Sequence, residues 1–136
     1  MWLFYTLCTV LMWAAWATLG KVALRGASWA QLSLLFGLAT VAIAVGLLAA
    51  GAHRGTWSLA SLPVAAITGT LGAAGVFTFY MALDRADASR VAPIVGIYPA
   101  VVALTSAAFL GEKLSRTQML GVALALVGIA LVGRGR

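Results

Sequence analysis

The chain has 136 residues, of which 63% are apolar or aromatic and 9% charged, with a mean hydropathy of +1.05. Soluble domains run at about 45–50% apolar and about 25% charged, so this composition excludes both a soluble globular domain and a disordered chain. The net charge of +6 comes from nine Lys and Arg scattered through short gaps, with no basic stripe for a phosphate backbone to follow, and no nucleic-acid partner is expected. A single cysteine, Cys8, allows neither an intrachain disulfide nor a thiolate zinc site.

The charged residues and His53 divide the sequence into five uncharged runs: Met1–Gly20, Gly26–Ala52, Gly55–Leu83, Val91–Gly111 and Thr117–Gly133. A bilayer core of about 30 Å takes roughly 20 helical residues. Each run therefore holds one span, and the fold class expected is all-α, a polytopic membrane protein with five transmembrane helices in one domain over residues 1–136. The helices are predicted over 2–24, 29–50, 60–83, 90–110 and 116–133. No Lys or Arg precedes the first apolar run, so it reads as a retained helix rather than a cleaved signal peptide, although Ala15-Trp16-Ala17 has a small-x-small pattern.

Helix one places Thr9, Trp13, Trp16 and Gly20 on one face. Tryptophan prefers the membrane interface, so two deep in a span suggest either rings stacked on a flat or cationic ligand, or rings filling gaps between helices. Trp2, Trp29 and Trp57 lie near run ends, where interfacial aromatics belong. Ser28-Trp29-Ala30-Gln31 fits a capping box that opens helix two. Pro63 suits the first turn of helix three, and Gly69, Gly72 and Gly75 mark a packing face on it. Helix four carries Pro93 and Pro99 beside Tyr98; an interior proline frees a carbonyl and kinks the helix, either for packing or to line a cavity. Ser115-Arg116-Thr117-Gln118 is a second capping box, opening helix five, whose Gly121, Ala125 and Gly128 form a small-residue stripe.

No ionisable residue lies in the middle of any run, so a proton-coupled pump lacks its usual group at depth. Asp84, Asp87 and Glu112 stand at span ends and are expected to pair with Arg85, Arg90, Lys113 or Arg116. His53 has no partner at metal-ligand spacing, and no hydrolytic constellation can be assembled, so no metal, cofactor or catalytic residue is expected. One face of the membrane would carry Lys21, Arg25, Arg85, Arg90, Arg134 and Arg136, the other Arg54, Lys113 and Arg116. The positive-inside rule then favours an outside N-terminus and a cytoplasmic C-terminus, with dual topology compatible with a difference of three charges.

Along helices three to five runs a set of local patterns: Ala82-Leu83, Ala86-Asp87-Ala88-Ser89-Arg90-Val91-Ala92-Pro93, Tyr98-Pro99 and Leu110-Gly111-Glu112-Lys113-Leu114-Ser115. Gly121-Val122-Ala123-Leu124 and Gly128-Ile129-Ala130-Leu131 follow, and the opening Leu11-Met12-Trp13-Ala14-Ala15-Trp16 leads to Lys21-Val22-Ala23-Leu24. This set resembles the EamA domain of the drug/metabolite transporter superfamily, over essentially the whole sequence. The resemblance implies a five-helix bundle that transports small molecules, among them amino acids, nucleotide-sugars and drugs. The usual member joins two such domains in opposite orientations with substrate between them. A single domain is accordingly expected to work in the inner membrane as a homodimer or beside a homologous half, with Thr9, Trp13, Trp16, Tyr80, Tyr98, Pro99 and Thr105 lining the central cavity. The rival readings are a non-transporting scaffold or assembly subunit and a lipid-flippase subunit.

Overall fold

A computed structural model of the chain describes residues 1–52 and 58–134. His53, Arg54 and Trp57, singled out from the sequence, and the terminal Arg136 lie outside the described residues. The described residues form six helices in order: α1 (Trp2–Ala23), α2 (Trp29–Ala49), α3 (Leu62–Arg85), α4 (Ala88–Val95), α5 (Tyr98–Phe109) and α6 (Arg116–Arg134). The described residues contain no strand. Among the described residues, five stretches are long and apolar enough to cross a membrane: α1, α2, α3, the α4–α5 pair over Ala88–Phe109, and α6. The protein is an all-α, multi-pass membrane protein.

Both capping boxes form as the sequence dictates. The Gln31 amide N–H donates to Ser28 Oγ at 3.3 Å while the Ser28 N–H donates to Gln31 Oε1 at 2.8 Å. At the start of α6 the same exchange joins Ser115 and Gln118, at 3.2 and 2.8 Å. Each box satisfies two amide groups that the first turn of a helix leaves without a partner. Pro63 sits in the first turn of α3, where its missing N–H costs little.

The fourth span differs from the single kinked helix expected over 90–110. It starts at Ala88 and is divided at Gly96-Ile97 into α4 and α5. Pro93 stays inside α4, whereas Pro99 falls in the first turn of α5 and leaves the Val95 carbonyl without its helical donor. The turn tightens there: Ile97 N–H donates to Ile94 O at 3.2 Å and Ala100 N–H to Ile97 O at 3.0 Å, both three residues back. A side chain at Gly96 would bring its Cβ to 3.0 Å from the Pro93 carbonyl oxygen, so the tightened turn leaves little room for one.

The chain forms two compact units, Met1–Arg85 and Ala86–Arg136. In the first, α3 packs against both α1 and α2. Its buried residues are Gly20, Leu32, Ser33, Phe79, Tyr80 and Leu83, all near the α1–α2 connection and the end of α3. Leu83 is fully enclosed. In the second unit α6 packs against α4 and α5 yet buries none of its own residues. The ion pairs expected at the span ends are not formed among the described residues: the Arg85 guanidinium donates instead to the Met81 carbonyl of its own helix at 2.8 Å.

Candidate functional site

Polar chemistry inside the first unit gathers where α1 meets α3. The Trp16 indole N–H donates to the Tyr80 hydroxyl at 2.6 Å, joining two residues 64 positions apart. Trp16 also stacks on Phe79, with centroids 4.9 Å apart and planes inclined by 22°, and lies 6.2 Å from the tilted ring of Phe36. Such ring pairs add about 0.5–1.5 kcal/mol beyond their burial. Tyr80 itself is 4% exposed.

Two neighbours of Trp16 on α1 complete the seam. Gly20 lets α1 approach α3 closely, since a Cβ there would stand 3.2 Å from Tyr80 Cε1 and 3.8 Å from Leu83 Cδ1. Lys21 donates from Nζ to the Leu83 carbonyl at 2.7 Å. A cation at the carbonyl end of α3 meets both an otherwise unsatisfied acceptor and the negative end of the helix dipole.

Beside this seam lies a groove of about 330 Å³ lined by Trp16, Leu19, Gly20, Ala23, Leu32, Leu35, Phe36 and Tyr80. Its walls come from α1, α2 and α3. They are aliphatic and aromatic, carry no charge, and offer the Trp16–Tyr80 pair as their polar side-chain feature.

Of the candidates read from the sequence, Trp16 and Tyr80 are brought into direct contact. Trp13, one turn earlier on α1, is 53% exposed and is not part of the groove lining. Thr9 lies two turns before Trp16, and its hydroxyl donates to the Tyr5 carbonyl at 2.9 Å. Thr105 does the same within α5, to Val101 O at 2.9 Å. These two hydroxyls have therefore committed their protons to their own helices. Tyr98, Pro99 and Thr105 belong to the second unit, where Tyr98 and Pro99 open α5. Phe36, Phe79 and Lys21 were not among the candidates. An aromatic residue inside an apolar run offers no contrast with its surroundings, and Lys21 read as a topological charge and as part of the family pattern, not as a partner for α3.

The small-residue positions have open surroundings. A Cβ built at Gly69, Gly72, Gly75, Gly121 or Gly128 meets nothing within 4 Å beyond its chain neighbours and its own helix backbone. Ala125 is likewise exposed, while Val122, Leu126 and Ile129 on the adjoining face of α6 are half-buried.

The close approach at Gly20 generates a test. Gly20→Ala presses a methyl group on the Tyr80 ring, and we expect a loss of about 1–3 kcal/mol in reversible unfolding from mixed micelles. In a protein keeping Trp16 as its lone tryptophan, with Trp2, Trp13, Trp29 and Trp57 replaced by Phe, the emission maximum should shift as the indole loses its acceptor. An unchanged emission and stability would show that α1 does not depend on glycine here.

The EamA-like transporter family matches residues 1–134. Among curated proteins, "Uncharacterized protein MJ1333.1" of Methanocaldococcus jannaschii is 38% identical over 71 residues, which is 52% of this chain and 52% of that protein. The matched stretch thus spans about half the length of that relative. No solved structure matches the chain significantly. With the family match running through all five spans, the chain belongs to the EamA-like transporter family.

Proposed function

We propose that this protein moves a small molecule across the inner membrane, and that it does so as a homodimer or beside a homologous half. The observation that carries the reading is the aromatic groove walled by three spans, set in a chain of the EamA-like transporter family. Substrate contacts are assigned to Trp16 and Tyr80 at the groove and to Trp13 and Thr9 further along α1 in the first unit, and separately to Tyr98, Pro99 and Thr105 on α5 in the second. The threonines contribute as hydrogen-bond acceptors, their protons being engaged. In the second unit, the Val95 carbonyl, which Pro99 deprives of its helical N–H donor, is assigned as a further acceptor. With no ionisable residue in mid-span, a facilitator or exchanger fits the chain better than a proton antiporter. Flux in proteoliposomes tests this reading. Trp16→Ala should lower solute flux at least about tenfold, the equivalent of about 1.4 kcal/mol, with insertion unchanged; undiminished flux in a folded variant would remove Trp16 from the path.

Assembly is assigned to the exposed stripe Gly121, Ala125 and Gly128 on α6, a helix that buries none of its residues. In lipid, helices associate by close backbone packing rather than hydrophobic drive, and small residues permit it. Gly121→Leu with Gly128→Leu should therefore lower the crosslinked dimer fraction in native membranes while all five spans insert. An undiminished fraction would move the interface to the Gly69, Gly72 and Gly75 face.

Orientation is assigned by loop charge, N-terminus outside and C-terminus cytoplasmic, six basic residues against three. Replacing Arg85 and Arg90 by Ala narrows this to four against three and should give mixed orientations by a C-terminal reporter. A reporter that stays wholly cytoplasmic would show that another feature sets topology.

A further inference from the structure

We infer that the groove between α1, α2 and α3 takes an uncharged, flat, mainly aromatic ligand that presents one hydrogen-bond acceptor to the Tyr80 hydroxyl. The inference rests on the transporter reading for its biological sense, but its chemistry comes from the groove alone.

Hydrogen bonding sets the polarity of the ligand. Tyr80 accepts from Trp16, whose indole nitrogen is a donor only and is thereby committed. The hydroxyl proton of Tyr80 remains to be given, and no hydrogen bond donated by Tyr80 is found among the described residues. The pair therefore offers a ligand one donor, polarised by the bond that the hydroxyl already accepts. A carbonyl or ether oxygen answers it; a hydroxyl or amide that must donate finds no side-chain acceptor on the groove wall apart from that same oxygen.

Charge is excluded on both signs. No lining residue is ionisable at neutral pH, so an anion or cation would leave water without a counterion. Aromatic faces attract cations, but the nearest charge in sequence is the half-buried ammonium of Lys21, adjacent to Gly20 and of the same sign. That ammonium is engaged by the Leu83 carbonyl and is not part of the lining, so it gives an anion in the groove no direct hydrogen bond.

Shape follows from the rings. Phe79 stacks on Trp16 and is absent from the groove wall, where the rings of Trp16, Phe36 and Tyr80 are the aromatic lining. Stacking there suits a planar ligand. A volume of about 330 Å³ lies at the small end of ligand pockets and suits a molecule of two or three rings.

The test uses tritiated fluorenone binding to the intact chain in nanodiscs, with unlabelled competitors. Fluorene, which has CH₂ in place of the carbonyl, should compete about three- to tenfold more weakly than fluorenone, the worth of one hydrogen bond. Fluorenone carboxylate and a trimethylammonium fluorenone should compete at least about tenfold more weakly still. In Tyr80→Phe the gap between fluorenone and fluorene should close while fluorene binding persists. Should that variant fail to fold, Leu35→Trp, which fills the groove from α2, should abolish binding of both. Equal competition by fluorene and fluorenone in the unaltered chain, competition by either charged analogue as strong as by fluorenone, or no saturable binding would overturn the inference. Flux is read separately. Acceptor-selective binding without flux of any solute upholds the ligand class and retires the transporter reading, whereas solute flux by a chain that shows no acceptor-selective fluorenone binding overturns the inference and leaves that reading standing.

Discussion

Lipid offers no hydrogen bonds, and nearly every polar feature of this chain follows from that. A polar group inside the hydrocarbon must find its partner within the protein, at a cost of several kcal/mol if it fails. The backbone meets the demand with helices. Threonines meet it by donating to the carbonyl one turn back, as Thr6, Thr9, Thr18, Thr40, Thr68, Thr70, Thr78 and Thr105 all do. An indole cannot reach its own backbone acceptor in this way. Trp16 solves the same problem across helices, through Tyr80, and so ties α1 to α3.

That tie explains where the first unit packs. Gly20 and Lys21 follow Trp16 within about one turn, and the former permits the approach that the latter secures at the end of α3. The buried side chains gather around this seam, while the early parts of α1 and α3 remain exposed along their length. Membrane double-mutant cycles put interhelical polar contacts at about 0.6 kcal/mol on average. Two such bonds do not hold three helices together unaided; ring stacking on Phe79 and enclosure of Leu83 supply the remainder.

Different parts of this arrangement were legible in the sequence to different degrees, and the difference has a physical origin. Spans and capping boxes depend on residues within one turn or one run, so Ser28 with Gln31 and Ser115 with Gln118 could be read directly. The break at Gly96-Ile97 was foreshadowed by two prolines but not its position, because which proline kinks and which opens a new helix depends on the local backbone. Trp16 and Tyr80 stood out as polar aromatics in apolar runs, but nothing local pairs residues so distant. Phe36 and Phe79 did not stand out at all. Thr9 and Thr105 read as residues lining a cavity, and helix geometry spends their hydroxyl protons on carbonyls that no sequence pattern displays.

A groove shared by three helices also constrains how occupancy can act on the fold. A ligand lying there touches α1, α2 and α3 together, so its binding free energy opposes any motion that parts them. It can shift the balance between two arrangements only by its differential affinity for them. Tight binding in this arrangement, if unmatched in a second, would trap the solute rather than release it. A charge-free, mainly apolar wall avoids that trap: its contacts are non-directional and survive small displacements, whereas a buried ion pair would fix one geometry and cost several kcal/mol to leave. The one proposed directional contact, from the Tyr80 hydroxyl to a ligand, would be worth about 1 kcal/mol, enough to orient a ligand and too little to hold it.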